Sequence, residues 1–395
     1  MGDLERNKRE CIEFFERQRL QLKIVKTIVC PNGQVIDWIP IESQGNIADP
    51  PGELQQCGEG EGKDLDCLAE LEEEGVDHGR VGTVPVLRRN LGLVDFTVSL
   101  RDYLSKQPEP APQGQPGRSA VGAQDEESRI NAAIASRNWL VNCTKSVRNL
   151  GGQGQFSCFK PAVESANDSS LIQVVVGNYV GGGFGRQTVE AGWQVAPSRY
   201  GDYAPHLFTY FNTRHYGDTG DGVGGWNQDF KGWVQVDAEI HPGTTFYPWS
   251  TVKGPQYRLW MAYKLFKGNR WLWVKDRWIG FYPASLFFPS HGDPQSYLGD
   301  HADHVSFKGE VFDATTPNPG VTTTDMGSGQ FLETHWTCSA YIHNLCYIPL
   351  TCEGNHRYDL ADISQDDQTR YRVETHFDGG DPWNSYVWLG GPGAG

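Results

Sequence analysis

Tyr257-Arg258-Leu259-Trp260-Met261-Ala262-Tyr263-Lys264-Leu265-Phe266, then Lys267-Gly268-Asn269-Arg270, then Trp271-Leu272-Trp273-Val274, is the stretch that decides the fold class. Tyr257, Leu259, Met261, Tyr263 and Leu265 fall on one face, with Arg258 and Lys264 on the other, which is the two-residue period of a strand. The Lys267–Arg270 run supplies a turn, and Trp278 to Tyr282 gives a third run, so the region predicts a meander of antiparallel strands. Leu171 to Val176 is another apolar run. The chain holds 47 Gly, 13 Trp, 16 Tyr and 18 Phe against 3 Met. Glycine-rich turns joining aromatic strands point to a sandwich or barrel. No repeat of about 20–50 residues recurs, which disfavours propellers and solenoids.

A formal charge of −15 argues against nucleic acid and anionic membrane as partners, since both need a basic patch. No apolar run approaches the roughly 20 residues of a membrane span. None of the nine cysteines forms a CxxC pair, which disfavours a zinc ribbon or a thioredoxin-like site. Their clustering suggests disulfides such as Cys57 with Cys67, Cys143 with Cys158, and a pair within Cys338, Cys346 and Cys352. Asn142-Cys143-Thr144 and Asn167-Asp168-Ser169 are glycosylation sequons. Together these features predict a secreted protein. Charged residues follow closely on Met1, so no signal-peptide core is expected at the start of this chain.

Leu4 to Leu22 reads as an amphipathic helix. Ile24–Cys30 and Val35–Ile39 flank an Asn32-Gly33 turn and predict a hairpin. Gly52 to Gly79 is acidic and poor in large apolar groups, so it predicts a loop or a partly mobile segment. Gln107 to Gln124 (QPEPAPQGQPGRSAVGAQ) cannot bury a core and marks a boundary between 1–124 and 125–395. The expected architecture is a mainly β two-sheet sandwich preceded by a small α+β unit.

Two glutamates carry the candidate chemistry. Glu190 lies in Thr188-Val189-Glu190-Ala191-Gly192-Trp193-Gln194-Val195, and Glu310 in Val305-Ser306-Phe307-Lys308-Gly309-Glu310-Val311-Phe312. A carboxylate among Val, Trp and Phe needs a partner or a proton. Two of them in one cleft would give an acid and a base. On a strand, Glu190, Gly192 and Gln194 share one face, resembling a polar cleft floor on which Gly192 leaves room for a ligand backbone. The bland alternatives are exposed strand carboxylates, and for Glu310 a salt bridge with Lys308. Gly181-Gly182-Gly183-Phe184-Gly185 lacks the Lys-Ser/Thr of a phosphate loop, and we read it as a hairpin connection. His301-Ala302-Asp303-His304 lacks metal-site spacing, so no metal or cofactor is expected. No Gly-x-Ser-x-Gly elbow occurs.

The run VEAGWQVAPSRYGDYAPHLFTYF, Val189 to Phe211, closely resembles the signature of neprosin-type glutamic peptidases. So do Ile279–Pro283, Phe307–Val311, Asp325–Gly329 and Gly390–Gly393, while Val25–Ile28 with Asn32–Asp37 is similar to that family's activation segment. The resemblance keeps its order over nearly the whole chain. It implies a concanavalin-like sandwich behind a propeptide, and acid endopeptidase activity after proline and alanine. It also implies a catalytic pair that maps onto Glu190 and Glu310. Plant members usually carry a close cysteine pair after the Tyr-Phe strand, where this chain has the cysteine-free Gly217–Gly225.

On this reading the chain is a monomeric, secreted zymogen, inhibited by its own propeptide and acting on proline-rich peptide or protein. Gln194 is a candidate oxyanion donor. Gly192, Trp193 and Tyr282 are candidates for substrate contact. Protonation of the acidic stretch Glu70 to Glu74 would loosen the propeptide in acid. The rivals are a two-carboxylate glycoside hydrolase and a non-catalytic carbohydrate-binding sandwich.

Overall fold

The computed structural model describes residues 2–57, 65–106, 138–178, 187–214, 216, 218–287, 297–314, 322–332, 335–351, 354–380 and 382–394. The decisive stretch forms β14 (Tyr257–Phe266), β15 (Asn269–Val274) and β16 (Arg277–Pro283), paired antiparallel in sequence order. Lys267 and Gly268 both have positive φ, 47° and 74°, between the paired Phe266 and Asn269. That is the two-residue turn whose twist matches a right-twisted hairpin.

The remaining elements follow in chain order. The amino-terminal ones are α1 (Gly2–Leu20), β1 (Lys26–Val29), β2 (Val35–Pro40), β3 (Leu65–Asp66), β4 (Leu68–Ala69), β5 (Thr83–Leu87) and α2 (Leu100–Leu104). Next come β6 (Asn138–Asn149), β7 (Gly151–Ser157), β8 (Ser169–Asn178), β9 (Gln187–Val195), β10 (His206–Asn212), β11 (Gly224–Trp226), β12 (Val234–Gln235) and β13 (Phe246–Tyr247). Beyond β16 lie β17 (Ala302–Phe312), β18 (Ala340–Ile348), β19 (His356–Arg357), β20 (Asp362–Gln365), β21 (Arg372–His376) and β22 (Tyr386–Gly390).

Two large sheets build the body. The first runs β11-β10-β9-β8-β17-β6-β20, and the second runs β12-β16-β15-β14-β7-β18-β22-β21. Alternate residues of each face inward to one core: Ile172, Val174, Val189, Ala191, Val305 and Phe307 from the first, and Leu259, Met261, Tyr263, Ile342 and Leu389 from the second. The two-sheet sandwich is therefore as expected. The outer face of β14–β16 is also apolar, carrying Trp260, Trp271, Trp273 and Trp278 in a second cluster that Leu54 helps to cover. This explains the tryptophan-rich hairpin, whose strands are buried on both faces.

The described residues between 2 and 106 form an α+β unit, with a helix and the three-stranded sheet β1-β2-β5. They are not self-contained. β3 adds to the second sheet alongside β14, β4 pairs with β13, and Cys67 and Ala69 sit in the sandwich core. The described part of the 52–79 stretch is thus docked structure rather than a loop, because short apolar pairs alternate there with the acids. Cysteine pairing differs too. Cys57 is bonded to Cys346 across 289 residues, not to Cys67. Cys143 and Cys158 are both unbridged and buried; Cys143 lies in the first sheet, and Cys158 follows β7 of the second. Cys67 instead faces Cys158. Cys352, the Gly181–Gly185 run and the Gln107–Gln124 linker lie outside the described residues.

Candidate active site

β8 lies between β9 and β17, and register sets the site. Glu190 of β9 pairs with Val175, and Glu310 of β17 with Leu171. Paired residues share a face, so both glutamates project from the same face of the first sheet, away from the core. Val189, Ala191, Trp193 and Val195 alternate inward, and Glu190 is fully buried on the opposite side. That side is roofed by the amino-terminal unit, not by the second sheet.

The roof ends in a lysine. Ser99 caps α2, accepting a hydrogen bond from the Asp102 N–H at 3.2 Å. Tyr103 and Leu104 pack with Cys11 of α1, and the chain then drives Lys106 down between the glutamates. The Lys106 ammonium, on a residue 2 % exposed, is ion-paired to Glu190 Oε2 and lies 3.2 Å from Glu310 Oε2. It donates to Gln173 Oε1 at 3.2 Å. It also faces the Tyr210 and Trp226 rings at 5.6 and 5.7 Å. Glu190 Oε1 accepts from Thr188 Oγ1 at 2.8 Å and from Tyr216 OH at 2.5 Å. Two carboxylates brought out of water around one nitrogen need that cation. Removing one partner of such a buried cluster typically costs about 3–5 kcal/mol.

A second set of contacts holds the same segment. The Tyr103 hydroxyl donates to Ser198 O at 3.0 Å, and Arg199 Nη2 donates to Tyr103 O at 3.3 Å. Arg89 pairs with the buried Asp229, which also lies 3.6 Å from Arg199.

The other expected site residues separate clearly. Gln194 shares the Glu190 face, but it lies four residues further along the strand and its Oε1 accepts from Tyr200 OH at 3.4 Å. Trp193 is a core residue whose Nε1 donates to Ser157 O at 2.8 Å, so it cannot meet a substrate. Tyr282 is likewise buried in the core, its hydroxyl donating to Thr209 Oγ1 at 3.0 Å. Gly192 leaves no ligand room through its missing side chain. A Cβ there would fall 1.9 Å from Ile172 O, so the glycine serves the close approach of β8. His301 and His304 each pair with the aspartate beside them, Asp300 and Asp303. Sequence reasoning missed Lys106 and Gln173. A lone lysine before a proline-rich linker carries no motif, and Gln173 is one polar residue inside an apolar run.

The acid-sensitive contacts are also redistributed. Glu70 is buried against the body, its Oε2 accepting from the Thr245 N–H and its Oε1 3.9 Å from His241 Nε2. Burial pushes its carboxyl up to about 8, so it is already protonated through the acid range and cannot act as an acid trigger. Burial pushes His241 the other way, down to about 4. Glu72, by contrast, is ion-paired with Lys275 and Arg277 of the body.

Solved structures similar to this one include Scytalido-glutamic peptidase with a peptide-based transition state analogue, at 8 % identity and a TM-score of 0.33, covering 64 % of this chain and 97 % of that one. Another is SCP-B, a member of the Eqolisin family of peptidases, in complex with the tripeptide Ala-Ile-His, at 8 % identity and a TM-score of 0.31, covering 64 % of this chain and 96 % of that one. Residues 166–392, more than half of the chain and including both Glu190 and Glu310, match the family model described as Neprosin, and the chain belongs to the Neprosin family.

Proposed function

We propose that the chain is the latent form of a secreted glutamic endopeptidase that cleaves after proline, and also after alanine, in acid. Residues 1–124 are the inhibitory prosegment and 125–395 the catalytic unit. The observation that carries this reading is the shared Lys106 ammonium, which brings the Glu190 and Glu310 carboxylates to a single point.

Once Lys106 leaves, the two carboxyls remain close together without that cation. Close carboxyls resist double ionisation, so the pair holds one proton between them over a band of acidic pH. The ionised glutamate takes a proton from water as the water oxygen bonds to the scissile carbonyl carbon. The carbonyl electron pair moves onto its oxygen. Collapse of that oxyanion breaks the C–N bond, and the protonated glutamate gives its proton to the leaving nitrogen. The two carboxyls exchange protonation states, and water alone is consumed.

Gln107 to Gln124 contains Pro108, Pro110, Pro112 and Pro116 with Ala111, Ala120 and Ala123, the residue types after which such an enzyme cuts. Acidification is therefore expected to cut the chain so that a new amino terminus falls between Pro108 and Arg129. One experiment tests the function: acid-treated protein is incubated with a proline-rich peptide and with a polysaccharide, and products are identified by mass spectrometry. Peptides ending in proline or alanine are expected. Released sugar with intact peptide would make the protein a glycoside hydrolase, and no change in either would leave a binding module.

A further inference from the structure

Between the two glutamates, on the strand that separates them, stands Gln173. It pairs with Gly192 of β9 and with Lys308 of β17, so its side chain rises from the same face as Glu190 and Glu310, two residues from the partner of each. It is fully buried. Its Oε1 accepts from the Lys106 ammonium at 3.2 Å, and its Nε2 has no hydrogen-bond partner among the described residues. A buried amide N–H left unpaired costs free energy unless another state of the protein uses it.

The position of the Lys106 nitrogen marks where reacting groups gather once the cleft is open, because it lies within reach of both carboxylates. Gln173 touches that point. An amide presents its oxygen to a cation and, after a half-turn of its terminal torsion, its nitrogen to an anion. That torsion is broad and roughly two-fold. We propose that Gln173 is a third catalytic residue, the hydrogen-bond donor to the oxyanion formed when water adds to the scissile carbonyl. In the latent chain its oxygen helps hold Lys106. In the open enzyme its nitrogen meets the negative charge that develops in the transition state. Gln194, the expected donor, lies two positions further along with its oxygen engaged by Tyr200. The inference rests on Glu190 and Glu310 being the catalytic pair.

The test uses acid-processed protein and one proline-containing peptide substrate, comparing wild type with Gln173→Met and Gln173→Glu. Gln173→Met keeps the volume and removes the donor. Its kcat is expected to fall by about 10²–10³-fold, as for loss of one oxyanion donor, with KM changed by less than about threefold. Binding of a peptide phosphinate, a stable tetrahedral anion, should weaken in parallel with kcat/KM. Gln173→Glu keeps the acceptor for Lys106, so it folds and stays latent like wild type even where the Met variant does not. It donates only while protonated, so its residual activity should drop as pH rises, on a steeper limb than that of wild type. A merely structural amide would not move that limb. Either folded variant turning over within about threefold of wild type, with an unaltered pH profile, overturns the assignment. A wild-type enzyme that cuts no peptide overturns the catalytic pair itself, and Gln173 with it.

Discussion

Lys106 is the residue through which the amino-terminal unit reaches both glutamates. A buried ammonium is ion-paired with both carboxylates. Lys106→Met would leave two carboxylates confined in a dry cleft, at a cost of roughly 3–5 kcal/mol to the docked prosegment if both stay ionised. The expected result is processing that begins at a higher pH than in wild type, read as the pH at which half the chain is cut in a fixed time. An unchanged midpoint would mean that other contacts hold the segment. The glutamates were legible in the sequence because a charged residue inside an alternating apolar strand is conspicuous. Lys106 was not, since its meaning comes from a contact across 84 residues. Trp193 and Tyr282 were misassigned for the converse reason: large aromatics suit both clefts and cores, and only packing tells them apart.

At the scale of elements, β9 and β17 were readable from their two-residue period and β8 as an apolar run, and that period put Glu190 and Gln194 on one face as found. The docking of residues 65–73 onto the body was not, because strands of two residues give no periodic signal. The pH response sits at that interface and has two opposed parts. Burial raises Glu70, so its stabilising contribution is full below its usual range near 4.5 and is lost as pH rises through about 8. Burial depresses His241, so its contribution is full above about 6.5 and is lost as pH falls through about 4. Roughly 3 kcal/mol is withdrawn by His241 across that acid window. His241→Asn, which does not titrate, should therefore lose less stability than wild type between pH 6.5 and 4, in Tm measured at each pH. Glu70→Gln should diverge from wild type between about pH 4.5 and 8, where only the wild type loses stability as pH rises. Parallel Tm curves for His241→Asn and wild type would remove this histidine from the acid response.

For the whole molecule, the sandwich followed from composition and alternation, whereas its coupling to the amino-terminal unit did not. The Cys57–Cys346 bond joins the amino-terminal unit to β18. A cut anywhere within 107–124 therefore leaves the two pieces covalently joined, and the released segment stays at a high effective concentration near the cleft. Acid-processed protein should run near full length without reductant and as two chains with it. Cys57→Ser should separate without reductant. A free body in the unreduced wild-type sample would contradict the linkage.

The most direct test of the account is turnover of a proline-containing peptide at acid pH by processed Glu190→Gln and Glu310→Gln beside wild type, each brought to the processed state by an added protease if it does not cut itself. The swap preserves shape and removes proton exchange, so each variant is predicted to fold normally and to lose at least about 10²-fold in kcat. Near wild-type turnover by either folded variant would contradict the two-carboxylate centre.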